Sequence, residues 1–131
     1  MTAQHLEVLV EEPSMEAFLR ELLPRLLPQD RTFEVYPFQG KSDLLDKLPD
    51  RLRGYAKWLP DDSRIVVVVD RDGDDCCALK RRLEQAAVDA GLSTRTQPVR
   101  GKWQVVNRVA IEELEAWYFG DWEAVQSVYP G

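Results

Sequence analysis

The residues best placed for chemistry in this chain are carboxylates that directly follow apolar runs. In "RIVVVVDRDGDD", Ile65 to Val69 are five consecutive aliphatic residues, and Asp70, Asp72, Asp74 and Asp75 follow within six positions. Glu11 and Glu12 come directly after a second apolar run, and Glu112, Glu113 and Glu115 open a late helical segment. An acid that ends a buried strand is partly desolvated. If Asp70 and Glu11 end neighbouring strands, their like charges repel. A hard divalent cation such as Mg²⁺ removes that cost, and it needs only one or two protein carboxylates. Strand alternation sends Asp70 and Asp72 the same way, with Arg71 opposite.

The plainer reading of each acid is helix electrostatics. Acids in a first turn complement the helix dipole, by about 0.3–1 kcal/mol each. Asp72 or Asp74 could cap the helix that carries Cys76 and Cys77. Asp74 and Asp75 suit a helix start better than a metal site, and Pro13 after Glu12 marks another such start. The D-x-D spacing alone is also found in nucleotide-sugar transferases and aspartate-nucleophile phosphatases. The phosphatase pattern expects a hydroxyl residue soon after the second Asp, whereas Gly73-Asp74-Asp75 follows here.

These acids need elements to position them, and the pattern supplies alternating strands and helices. "HLEVLV" (5–10) reads as a strand, and 13–27 as a helix distorted near Pro24. "RTFEVYPF" (31–38) is a second strand, with Phe33 and Val35 on one face. Gly40 turns the chain into a helix over 41–59, with Leu44, Leu45, Leu48 and Leu52 in one stripe and Pro49 as a distortion. "RIVVVVD" is apolar throughout, which predicts a central strand covered on both faces. A helix then buries Ala78, Leu79, Leu83, Ala86 and Ala87 and stops at Gly91. "STRTQPVR" reads as a short strand, 104–109 as another, and Ile111 to Phe119 as a helix carrying Trp117 and Tyr118 into the core. A last short helix precedes Pro130-Gly131, where the domain either lacks a C-terminal portion or is capped by that helix. The alternation predicts one α/β domain over 1–131, a sandwich with a mostly parallel central sheet. Ligands of such sheets gather at the carboxyl ends of the strands.

Composition limits the partners. The chain carries 23 acids against 17 bases, a net charge of −6, so its average field repels polyanions. Contact with nucleic acid must come from metal ions or a local basic patch. Arg100, Lys102 and Arg108 form such a group, with Trp103 among them as a stacking surface or a half-buried loop residue. Arg71 and Lys41 are further cations near the acids. The only cysteines, Cys76 and Cys77, are adjacent and poorly placed for a disulfide, and His5 is the only histidine. No zinc-ligand spacing exists. No window approaches about 18 apolar residues, and the N-terminus lacks signal-peptide character. The expectation is a soluble protein of the reducing cytoplasm with no membrane partner.

"LEVLVEEPSMEAFLRELL", "VVVVDRDGDD" and "NRVAIEELEAWYFGD" together resemble the DUF4276 family of bacterial proteins. That family is Toprim-like and related to the nuclease domains of the overcoming-lysogenization-defect (OLD) proteins. The resemblance covers essentially the whole chain. The Toprim pattern is a Glu after the first strand and a D-x-D after a later apolar strand, which Glu11, Asp70 and Asp72 match. Glu115, with Glu112 one turn earlier, matches the acids that OLD-type domains add further on. Glu12 stands where Toprim proteins usually have Gly. The second departure concerns the acid common three to five residues past the first Glu: Met15 occupies one candidate position and Glu16 the next.

The resemblance implies Mg²⁺- or Mn²⁺-dependent phosphodiester chemistry on DNA or RNA, in phage defence or mobile-element biology. Asp70, Asp72 and Glu115, with Glu112, would hold metal. Glu11 would hold a second ion or act as general acid or base, Lys41 would complete the catalytic group, and Arg71, Arg100, Lys102 and Arg108 would contact nucleic acid. Two further readings stand beside the nuclease. One is a binding or regulatory module, with a partner protein, that keeps the Toprim shell without turnover. The other is a metal-dependent phosphatase on a small substrate.

Overall fold

The structure is a computed structural model that describes residues 4–27, 29–70 and 75–110. Its elements run β1 (His5–Val10), α1 (Pro13–Leu26), β2 (Thr32–Pro37), α2 (Lys41–Trp58), β3 (Ser63–Asp70), α3 (Cys76–Asp89) and β4 (Val105–Ala110). The four strands form one all-parallel sheet in the order β2-β1-β3-β4. The result is the expected α/β sandwich of Rossmann type, with helices on both faces.

β3 is central because its sequence leaves no polar face. Ile65, Val67, Val68 and Val69 are wholly buried and Val66 nearly so. Val66 and Val68 join Leu6, Val8, Val10 and Val35 beneath Met15, Leu19 and Leu23 of α1. Ile65, Val67 and Val69 join Leu9 beneath Leu44, Leu48 and Leu52 of α2 and Leu79, Leu83 and Ala87 of α3. The two apolar layers meet only through the sheet. Each fully buried Leu or Val contributes about 1.5–3 kcal/mol. Truncating Leu52 to Ala is expected to cost about 2–5 kcal/mol.

Both internal prolines sit inside continuous helices, Pro24 in the last turn of α1 and Pro49 near the middle of α2. Neither helix stops at its proline, because the leucines on both sides remain pinned in the core. On β2, Arg20 of α1 donates to the Val35 carbonyl (2.9 Å) and pairs with Glu16 (2.9 Å) and Glu34. These partners raise the Arg20 pKa, and the same guanidinium lowers that of the Glu34 carboxyl.

The segment expected as a strand over 93–100 makes only isolated bridges, Thr94 with Val105 and Val99 with Lys102. Its polar residues bond to loop backbone instead: Gln97 N–H donates to Thr94 Oγ1 (3.0 Å). Ala78 is exposed rather than inward, since α3 turns Leu79 and Leu83 to the sheet. The cap of α3 is Asp75, not Asp72 or Asp74. Its Oδ1 accepts the N–H groups of Cys77 (2.9 Å) and Ala78 (3.3 Å).

A polar network also lies buried between α3 and β4. Glu84 accepts from Thr94 Oγ1 (2.8 Å) and Asn107 Nδ2 (2.6 Å), and Lys80 Nζ donates to the Asn107 carbonyl. No helix among the described residues is long and apolar enough to cross a membrane.

Candidate functional site

The strand order fixes where a ligand can enter. From β1 the chain passes through α1 to β2 on one side, then returns through α2 to β3 on the other. The carboxyl ends of β1 and β3 therefore flank the point where the winding reverses, which opens a crevice in sheets of this kind. Glu11 follows β1 and Asp70 closes β3, so the two acids meet at this crevice.

Local sequence explains the ending of β1. Pro13 has no N–H for the ladder and takes the first position of α1. Glu12 is the cap residue in extended backbone; its carbonyl accepts from Met15 N–H (3.2 Å) and Glu16 N–H (3.3 Å). Ser14 Oγ donates to the Glu12 carboxylate (2.9 Å), which keeps that acid at the helix start. Glu11 behaves differently. It is only 4% exposed, and its Oε2 accepts the backbone N–H of Asp70 at 3.2 Å. The last β1–β3 pair is Val10 with Val68. The Glu11 side chain thus prolongs the link between the two strands past the end of their ladder.

The Glu11 main chain turns the other way. Its carbonyl accepts from Gly40 N–H (2.6 Å), while the Val10 carbonyl accepts from Phe38 N–H (3.0 Å). Gly40 has φ +108°, a conformation that glycine alone adopts without strain. This turn delivers Lys41 as the first residue of α2, beside the crevice. Asp43 steadies the turn by accepting Gln39 N–H (2.9 Å) and pairing with Lys47 (2.8 Å). Lys47 first, and then the Gln39 N–H, hold the Asp43 carboxyl below its ordinary pKa.

Glu11, Lys41 and Asp70 are therefore placed at the carboxyl edge by β1, α2 and β3. Arg108 pairs across from Val68 on β4, two positions short of Asp70. It is half-buried, and its Nη1 lies 3.4 Å from the Asn107 carbonyl. Arg100 and Lys102 are not brought to this edge. They precede β4, whose first residue, Val105, pairs with Ile65. Asp70 lies five residues further along β3, about 16 Å away at the rise of a strand. Trp103 packs against the α1-side core, with the Arg64 guanidinium 5.7 Å from its ring centroid. Arg71, Asp72, Glu112 and Glu115 lie outside the described residues.

Whether an ion suits this edge depends on the donors. Glu11 and Asp70 offer hard carboxylate oxygens, and an octahedral Mg²⁺ that keeps its waters needs no more than one or two of these. Among the described residues, no group of three or more His, Cys, Asp or Glu gathers closely enough to enclose an ion. Glu11 and Asp70 are donors of the hard kind that Mg²⁺ or Mn²⁺ prefers.

The buried Glu84, Thr94 and Asn107 were not singled out from sequence. Glu84 falls on the helical face otherwise filled by Leu83 and Ala87, and that placement is the signal that could have found it. Thr94 and Asn107 carried no comparable mark.

No curated protein and no solved structure matches the chain. A family model described as "Domain of unknown function (DUF4276)" matches residues 10–131. That span begins at the last residue of β1 and takes in Glu11, Lys41, Asp70 and every other candidate residue discussed above, and the chain belongs to the DUF4276 family.

Proposed function

We propose that this chain is a Toprim-like, Mg²⁺- or Mn²⁺-dependent phosphodiesterase acting on DNA or RNA, related to the OLD-type nucleases and working in phage defence or mobile-element biology. The observation that carries this reading is the meeting of Glu11 and Asp70 at the winding reversal, joined at 3.2 Å. Two carboxylates at the carboxyl ends of adjacent parallel strands are of the type that a hard cation takes.

In this reading Asp70 and Asp72 hold the ion, with Glu112 and Glu115 contributed from the C-terminal segment. When bound, the ion would supply charge to phosphoryl oxygens and lower the pKa of a coordinated water. Glu11 would hold a second ion or act as general acid or base at the reacting oxygen. Lys41 orients a phosphate from the N-terminal turn of α2, where the helix dipole also favours an anion. Arg71 and Arg108 extend the cationic contact along the backbone of the nucleic acid.

The test is cleavage of plasmid DNA and of a structured RNA by the full chain, with Mg²⁺, with Mn²⁺ and with chelator. Cutting is expected only with metal, and Asp70→Asn is expected to abolish it while leaving the melting temperature within a few degrees. Cutting that persists in Asp70→Asn, or in chelator, would sink the assignment.

A second reading is favoured by the burial of Glu11, whose Oε2 is engaged by a main-chain amide. Here the same acids bind an ion or a partner protein without turnover. Calorimetric Mg²⁺ binding that Asp70→Asn removes, with no substrate cut, would support it over the nuclease.

A further inference from the structure

The amino-end loop before β4 carries a feature that the carboxyl-edge site does not use. From Ser93 to Gln104 the sequence contains Arg95, Arg100 and Lys102 and no acid, in a chain of net charge −6. Val99 and Lys102 exchange both backbone hydrogen bonds (2.9 and 3.0 Å), so Arg100 and Gly101 form a closed two-residue hairpin tip. Both have positive φ, 55° and 75°, as in the mirror-image turns of tight hairpins.

Arg100 is the only non-glycine residue among those described with φ in that region. Asn, Asp or Gly is the usual occupant there, because each tolerates the conformation more easily. A long cation is instead held at the outermost point of the loop, and strain of this kind is a pointer to function. Arg100 and Lys102 are exposed, Val99 is 61% exposed, and neither cation makes an ion pair among the described residues.

We propose that the Val99–Lys102 hairpin is a second, metal-independent docking element for the phosphodiester backbone of a nucleic acid. This inference rests on the nucleic-acid reading of the carboxyl edge and adds a contact at the opposite end of the sheet. Phosphates are the fitting partner for several reasons. The tip offers two exposed cations on a closed two-residue turn. Val99 gives a small apolar surface that suits a sugar. The chain as a whole carries a net charge of −6, so a polyanion gains attraction at a local basic patch rather than from the average field. The start of β4, three residues past Lys102, stands about 16 Å from the level of Asp70 at the rise of a strand. A duplex touching both must therefore run on for about five base pairs at roughly 3.4 Å each. Binding and cutting are then separable, with affinity set at one end and chemistry at the other.

The experiment is fluorescence anisotropy of labelled DNA and RNA duplexes with the full chain in EDTA, across a salt series. Arg100→Gly with Lys102→Gln preserves the turn, since glycine accepts positive φ freely. This double variant is expected to bind about tenfold more weakly, and its log K against log salt slope should fall by about two. Equal binding by the double variant, or no measurable binding by the wild type in EDTA, would overturn the hairpin proposal. So would displacement of the duplex by polyglutamate at equal charge, which would point to an acidic protein partner. Metal-dependent cutting lost in Asp70→Asn, together with wild-type affinity and salt slope in the hairpin variant, leaves the nuclease reading intact while the hairpin fails. Hairpin-dependent binding without any cutting gives the reverse.

Discussion

Glu11 and Asp70 are fastened side chain to main chain: the Glu11 carboxylate accepts the Asp70 amide at 3.2 Å, at the point where the winding of the sheet reverses. One acid therefore controls where the other is presented.

Charge and hydrogen bonding at Glu11 can be separated by substitution. Glu11→Gln retains an acceptor for the Asp70 N–H and is expected to cost under about 1 kcal/mol. Glu11→Ala leaves a half-buried amide unpaired, an expected loss of about 1–3 kcal/mol. Urea denaturation of both variants checks this, and equal losses would show that the amide bond is not what Glu11 contributes.

Asp75 anchors the helix that follows the D-x-D segment. Asp75→Ala should lower stability by about 0.5–2 kcal/mol, while Asp75→Asn should recover most of it. Thermal melts of the pair decide the point; an Asn variant as weak as Ala would mean that charge, not capping, matters.

Glu84 is the hub of the buried polar network. Glu84→Ala strands the Thr94 hydroxyl and the Asn107 amide, at about 1–3 kcal/mol for each group left unpaired. Glu84→Gln can still accept from one of them and should lose less. Hydrogen exchange should show the added opening confined to α3, β4 and the 93–95 segment, and a uniform increase across the sheet would contradict a local role.

Tyr55 predicts the alkaline limit of the fold. Burial is the main cause that pushes its hydroxyl up to about 12, from an ordinary 10.0. A raised folded pKa favours the neutral phenol in the native state. That contribution is complete below pH 10 and is lost as the pH climbs towards about 12. Tyr55→Phe removes the titration and also the bond from Arg51 Nε (3.3 Å). Its stability should be lower at neutral pH yet flatter above pH 10. Urea midpoints across that window test this, and parallel curves for the two proteins would refute the assignment.

The fold was largely legible because its signals were long and apolar. Five aliphatics from Ile65 to Val69 could only be a doubly covered strand, and the strand order places β3 between β1 and β4. Glu11 and Asp70 were legible as strand-end acids for the same reason. What escaped depended on partners distant in sequence. Glu84 lies on the inward face beside Leu83 and Ala87, but its role shows only once Thr94 and Asn107 meet it. Residues 93–100 have strand-like composition, but their backbone groups find loop partners rather than a full ladder. Arg100 and Lys102 read as one basic cluster with Arg108 because all three precede the Glu-rich segment in sequence. In a parallel sheet, residues that precede a strand stand at the amino edge, opposite to those that follow one.

The hydrogen bond from Arg20 to the Val35 carbonyl bears on how the protein behaves in a crowd. β2 is an outer strand, and outer strands recruit other chains through unpaired carbonyls. On β2 a fixed guanidinium occupies one such carbonyl and Pro37 offers no N–H; on β4 the Arg95 amide and Lys80 occupy those of Val105 and Asn107. Among the described strands, both margins of the sheet thus carry built-in stoppers against strand-by-strand growth. The domain should stay dispersed at high concentration, and its margins give an intruding strand little to copy.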